Sequence, residues 1–184
     1  MTVMTLPSSP AAFAKATWED IAPFFDELRD RPLDETGIET WLQTWSTLEE
    51  LVTEAAALAM IAYTIDTSDR GKEADHLRFS TEILPRMEER SVELARRLVA
   101  SGYSTPDLTT TLTRFRTSIE IFREANIPLF AELEERNARY QRITGSMTVM
   151  WEGEERPLPQ LQPFLKSPDR AVRERAFRAA TQPY

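Results

Sequence analysis

Between residues 38 and 62, the apolar side chains Ile38, Trp41, Trp45, Leu48, Val52, Ala55, Ala59 and Ala62 recur at alternating spacings of three and four. A repeat averaging 3.5 residues keeps one seam facing one neighbour, so this stretch predicts a long helix packed in an antiparallel bundle. The seam passes from tryptophan to alanine, so the neighbouring helix is expected to approach more closely near Ala59 than near Trp41. The stretch from Ala55 to Tyr63 is apolar all round, which predicts burial on several sides at that end. At nine residues it is well short of the ~20 that a bilayer span requires.

The flanking segments read as further helices. Residues 1–16, with Pro7, Ser8, Ser9 and Pro10, read as an extended leader. Thr17 offers a capping hydroxyl, with Glu19 and Asp20 in the first turn of a short helix that ends before Pro32 and Gly37. After the turn at Asp66–Gly71, a third helix is expected over Glu73 to Ala100. Leu77, Leu84, Met87, Leu94 and Leu98 form its apolar face, Pro85 kinks it and Gly102 caps it. A fourth helix begins near Pro106 with the stripe Leu108, Leu112, Phe115, Ile119 and Phe122. Pro128 marks either a break or a kink before a fifth segment carrying Phe130, Leu133 and Tyr140. The helical pattern stops at Thr144 and Gly145.

Met147 to Trp151 is β-prone, Glu152-Gly153 is a turn, and Glu154 to Leu158 returns as a second strand. An isolated hairpin is marginally stable, so it must pack on something. Ser167-Pro168-Asp169 then starts a last helix with Val172, Ala176, Phe177 and Ala180 on its apolar face. The fold class is therefore mainly α: an antiparallel bundle of about five or six helices with a small hairpin near 147–158. The expected divisions are a leader at 1–16, a helical domain at 17–145, and a hairpin-and-helix segment at 146–184.

Composition excludes several functions. A net charge of -8 repels phosphate backbones and argues against nucleic-acid binding. The absence of cysteine removes disulfides, thiolate metal sites and cysteine nucleophiles, and fits the cytoplasm, where the chain is expected. Residues 1–16 lack the basic start and sustained apolar run of a signal peptide, and no partner membrane is expected.

One histidine, His76, restricts the chemistry further. A zinc site of the H-E-x-x-H type needs two imidazoles one helical turn apart, so this chain cannot assemble one. Glu73-Ala74-Asp75-His76 has the E-x-x-H spacing of di-iron bundles, but those need the motif twice, and His76 is expected to face solvent. The carboxylates Glu88, Glu89 and Glu93, Glu132, Glu134 and Glu135, and Glu152, Glu154 and Glu155 alternate with Arg86, Arg90, Arg96, Arg136 and Arg139. That pattern reads as solvated, ion-paired faces. Arg170, Arg173, Arg175 and Arg178 surround the last helix without converging. Trp18, Trp41, Trp45 and Trp151 offer rings for a ligand-stacking wall, but Trp41 and Trp45 belong to the seam and read as core, and Trp151 is the least decided. No catalytic, cofactor-binding or metal-ligating residue is assigned.

The order of segments resembles one known family. Trp18-Glu19-Asp20-Ile21-Ala22-Pro23-Phe24-Phe25, Tyr63 with Asp66-Thr67-Ser68-Asp69, and Ile121 to Leu129 are similar to the opening of oligoendopeptidase F-like zinc metallopeptidases. Tyr140-Gln141-Arg142-Ile143-Thr144-Gly145-Ser146-Met147-Thr148-Val149 continues the likeness through Glu152-Gly153-Glu154, Leu158-Pro159-Gln160-Leu161 and Asp169-Arg170. The resemblance covers about the first third of a family member. It implies a helical peptidase whose lobes enclose a channel for short peptides, with zinc bound downstream of the matched region. It also implies that these helices wall the channel and have the catalytic domain as their partner. The chain alone is expected to bind no zinc and to be inactive. A second reading is a stand-alone helical binding or oligomerisation module that self-associates through exposed apolar surface.

Overall fold

The computed structural model describes residues 5–34 and 36–183. The fold is mainly α with one small antiparallel hairpin: α1 (Trp18–Asp30), α2 (Ile38–Ile65), α3 (Arg70–Leu77), α4 (Leu84–Ala100), α5 (Thr109–Ile121), α6 (Ile127–Gly145), β1 (Thr148–Trp151), β2 (Glu154–Pro157), α7 (Gln162–Leu165) and α8 (Arg170–Thr181). No helix among the described residues is long and apolar enough to cross a membrane.

Thr17 starts α1 as its position suggests. Its backbone N–H and its hydroxyl both donate to the Asp20 carboxylate, at 2.8 and 3.0 Å, and hold that carboxyl below its ordinary range. The extended leader expected over 1–16 needs correction in its second half. Pro10–Phe13 form a 3₁₀ turn, and Phe13 is buried edge-on against Phe24, with ring centroids 6.0 Å apart. Arg78 then holds the chain by donating to the carbonyls of Ala14 and Ala16. A large aromatic ring in the leader gains more from burial than an extended, solvated path would give it. Residues 1–4 lie outside the described residues.

The core is centred on the tryptophan end of α2. Trp41 is fully buried, and its indole N–H donates to the Leu28 carbonyl at 2.8 Å. Arg97 of α4 donates to the same oxygen at 2.8 Å and to the Arg31 carbonyl at 3.0 Å. Carbonyls of the last turn of α1, which have no partner within their helix, are thus satisfied by two other helices. Trp45 stacks on Phe115 of α5, with centroids 5.0 Å apart, and its N–H reaches Glu49 at 2.7 Å.

The alanine end of α2 departs from expectation. Ala55 and Ala56 are buried, but Leu58, Met60 and Ile61 are about half exposed, and Ile65 is 79% exposed. One side packs on α3 while the opposite side faces outward, so burial on several sides is not found. Tyr63 is the exception: it is fully buried and donates its hydroxyl to the Ala138 carbonyl of α6 at 2.8 Å.

The third helix is not simply kinked at Pro85. α3 and α4 are joined by a wide, π-helical turn over Arg78–Ile83, in which Leu84 N–H bonds five residues back to the Phe79 carbonyl. Proline donates no hydrogen bond and crowds the carbonyl of the preceding turn. The widened turn lies just before it. Leu94 and Leu98 are buried as expected, together with Phe79, Ile83 and Ala95, while Leu77, Leu84 and Met87 are half-buried. Gly102, at φ +73°, ends α4 in the left-handed conformation that favours glycine.

α5 buries Leu112, with Leu108, Phe115, Ile119 and Phe122 half-buried along its stripe. Pro128 occupies the first turn of α6, where its missing N–H has no helical partner to lose. The apolar face read for this segment is turned outward: Phe130, Leu133 and Tyr140 are all at least half exposed. Ala138 is the residue of α6 that is buried, so a small side chain makes the close contact. Near its end, a Cβ on Gly145 would lie 2.6 Å from Thr67 Oγ1, so any larger residue there would have to displace the Thr67 side chain.

The hairpin has the expected register, with Thr148 opposite Pro157 and Trp151 opposite Glu154. Its two-residue turn places Glu152 at φ 54° and Gly153 at φ 87°, the double positive-φ geometry that suits the twist of the strands. Val149, Trp151, Leu161 and Ala176 form a second, smaller core that joins the hairpin to α8. Asp169 caps α8 by accepting from Ala171 N–H at 2.8 Å.

Trp41→Phe keeps most of the buried ring but removes the donor to Leu28. Chemical denaturation should show a loss of about 1–2 kcal/mol, with no change in helix content by circular dichroism.

Candidate functional site

A cavity of 560 Å³ opens between α2, the 70–100 helix and α6. Its walls are mostly apolar: Ala56, Ala57 and Met60 from α2, Phe79, Leu84 and Pro85 from the wide turn and α4, and Ile127 and Phe130 from α6. Thr53, His76, Ser80, Glu88 and Glu134 add a few polar groups, the composition common to sites for small molecules and peptide side chains. The wide turn forms one wall, and such turns are frequent at functional sites.

His76 is corrected by the structure. It does not face solvent; it is 8% exposed, on the wall of this cavity. Its ring lies on that of Tyr63, with centroids 5.3 Å apart and planes 10° from parallel. Burial pushes the imidazole pKa down, and the Glu134 carboxylate acts weakly against that shift. The histidine is therefore held neutral over a wider range of pH than a solvated one. Reading E-x-x-H only as a metal motif obscured this, because Glu73 and His76 lie three residues apart on one face and both turn inward.

Glu73 is buried for a different reason. It accepts from Arg142 of α6 at 2.5 Å and from Arg70 at 2.6 Å, which ties α3 to α6 beside Tyr63. Both carboxylate oxygens are thus committed to guanidinium groups. Among the described residues no group of three or more His, Asp or Glu side chains is placed to hold a metal ion. With one imidazole and no thiol in the sequence, the donor set does not fit a zinc site.

The other candidates stay apart. Arg90 pairs with Glu93, Arg136 with Glu132, and Arg86 with Glu19 across helices. On α8, Arg173 donates to the carbonyls of Ser167 and Pro168, Arg178 pairs with Glu174, and Arg175 lies over Trp151 and near Glu152. They form no anion pocket. Trp18 stacks on Phe25, and Trp151 is buried against Phe164. Sequence reasoning missed Met60, Phe79 and Phe130 as cavity walls. A usable signal was present on α6, where apolar residues occupy a helix otherwise rich in charge.

The architecture of helices and hairpin agrees with comparisons to other proteins. The Peptidase M3 N-terminal domain family matches residues 9–113, more than half of the chain, and the chain belongs to that family. A solved X-ray structure, provisionally named oligoendopeptidase F, superposes over 95% of this chain with a TM-score of 0.76 at 24% identity. That match takes up 32% of the solved chain, so this chain spans about a third of its length. At that identity the likeness establishes the fold. No curated protein matches the chain.

Two measurements test the site. A histidine whose pKa is lowered on folding binds its proton more readily in the unfolded state. Stability should therefore fall as the pH drops below the ordinary histidine value of 6.5. His76→Phe keeps the ring stack but cannot protonate, so thermal melts should show a shallower loss in that window. The lowered carboxyls of Asp66 and Asp75 add their losses only below their ordinary 3.8. Separately, Arg142→Ala should cost about 1–2 kcal/mol in denaturant, less than a fully buried pair, because Arg142 keeps 36% of its side chain in water. Arg136→Ala, at an exposed pair, should cost nothing measurable.

Proposed function

We propose that this chain forms the N-terminal helical wall of an oligoendopeptidase F-type peptidase that hydrolyses short peptides. The observation that carries the reading is the family match over residues 9–113. It is supported by a superposition that takes in nearly all of this chain and about a third of the solved one. The helices would bound the chamber that receives peptides, and the cavity between α2, α4 and α6 gives that wall an apolar recess. The zinc ligands and the catalytic base would come from sequence outside these 184 residues, because this chain's donor set cannot supply them. A cytoplasmic setting and a catalytic domain of the same protein as partner belong to the same proposal.

The second reading is a non-catalytic binding or oligomerisation module. It is favoured by the apolar faces of α2, with Leu58, Ile61 and Ile65, and of α6, with Leu129 and Leu133, all at least half exposed. On the first reading those faces pack against the rest of the peptidase.

The test compares this chain with the complete gene product, using zinc analysis and quenched fluorogenic peptides. The chain alone should cleave nothing and retain no stoichiometric zinc. The complete product should bind zinc and cleave short unfolded peptides while sparing folded proteins. One tightly bound zinc per 184-residue chain, with cleavage, would overturn the assignment. A complete product with neither zinc nor cleavage, self-associating through α2 and α6, would favour the module.

A further inference from the structure

Glu88 of α4 and Glu134 of α6 both line the apolar cavity, and among the described residues neither forms an ion pair. Of the arginines on the same helices, Arg86 pairs with Glu19, Arg90 with Glu93 and Arg136 with Glu132. Arg123, in the adjoining hollow that shares Glu88, donates to the carbonyls of Glu120 and Phe122. Two carboxylates therefore border an apolar recess with no cation opposite them. In an apolar setting such charges attract a cation more strongly than they would in open water.

A second observation is independent of the carboxylates. His76 is more than nine-tenths buried on the cavity wall, with Tyr63 stacked on its ring. Its ring nitrogens have no hydrogen-bond partner among the described residues. Ser80, beside it, donates its hydroxyl to the carbonyls of His76 and Leu77 in its own helix, at 3.0 and 3.4 Å. The imidazole is the group left on the cavity wall to meet an incoming N–H.

We propose that the cavity is a binding subsite for a basic side chain of a peptide, a lysine or an arginine flanked by apolar residues. The hydrocarbon stem would lie along Ala57, Met60, Phe79 and Phe130, and its cation would meet Glu88 and Glu134. His76 accepts a hydrogen bond from the peptide at the buried wall. The net charge of -8 favours the approach of basic peptides to the chain at long range. That the cation arrives as part of a peptide rests on the peptidase reading; the fit of cavity and charge does not.

Calorimetric titration of the 184-residue chain with two blocked tripeptides tests this. One is acetyl-Leu-Lys-Leu-amide, and the other has norleucine in place of lysine, which keeps the stem and removes the charge. The lysyl peptide should bind about tenfold more tightly, and added salt should erase the difference. The Glu88→Gln, Glu134→Gln double variant changes two partly exposed side chains for isosteres, and its melting curve should match the parent. It should weaken lysyl binding about tenfold and leave norleucyl binding unchanged. His76→Phe should weaken both peptides. Equal binding of the two peptides overturns the proposal, as does absence of binding by a folded chain. A second copy seated in the cavity, seen as self-association that Phe130→Asp abolishes and no peptide displaces, also overturns it. If lysyl selectivity holds while the complete gene product cleaves no peptide, the subsite stands and the peptidase reading falls. If the product cleaves peptides and the chain ignores the lysine, the reverse holds.

Discussion

The carbonyl oxygen of Leu28 accepts from both Trp41 and Arg97, and through it α1, α2 and α4 are fixed at one point. Helix ends carry carbonyls without internal partners, and burying them unpaired costs free energy. Here Leu28, in the last turn of α1, is buried, and its carbonyl is satisfied by an indole and a guanidinium arriving from two other helices. Trp41 also fills the space between them and is fully buried. From this joint α2 runs on to Tyr63, whose hydroxyl bonds α6, so one helix links the tightly packed end of the molecule to the cavity.

Much of the fold was legible because it depends on local chemistry. The seam of α2, the Thr17 and Asp169 caps, the Gly102 terminus and the Glu152-Gly153 turn are each decided by a few neighbouring residues. The errors share another cause. Periodicity says that a helix has an apolar face but not what covers it. Leu58 and Ile61 lie in the stretch read as buried on several sides, yet stand at least half exposed. His76 failed in the opposite sense. Its burial depends on Tyr63, thirteen residues earlier, and on α6 arriving from more than fifty residues later; neither is visible in the spacing around it. Phe13 was missed because a single ring in a proline-bearing leader has no period.

The cavity follows from how α6 is attached. Ala138 and Gly145 let the helix approach closely at its far end, where Arg142 and Glu73 secure it. Toward its start, Ile127 and Phe130 stand off from α2 and leave a recess instead of a packed seam. The same helix thus serves as a structural tie at one end and as the wall of a cavity at the other. This division suits the wall role proposed for the domain.

The wide turn over residues 78–83 has a consequence for how the 70–100 helix keeps its partners. One extra residue in an otherwise regular helix advances the side chains beyond it by about 100° around the axis. Glu73 and His76 therefore address α6 and the cavity while Leu94 and Leu98 address the main core, though all four lie on what reads as a single helix. The turn acts as a phase shifter between two packing interfaces. It frees each half of the helix to vary its apolar pattern without disturbing the other.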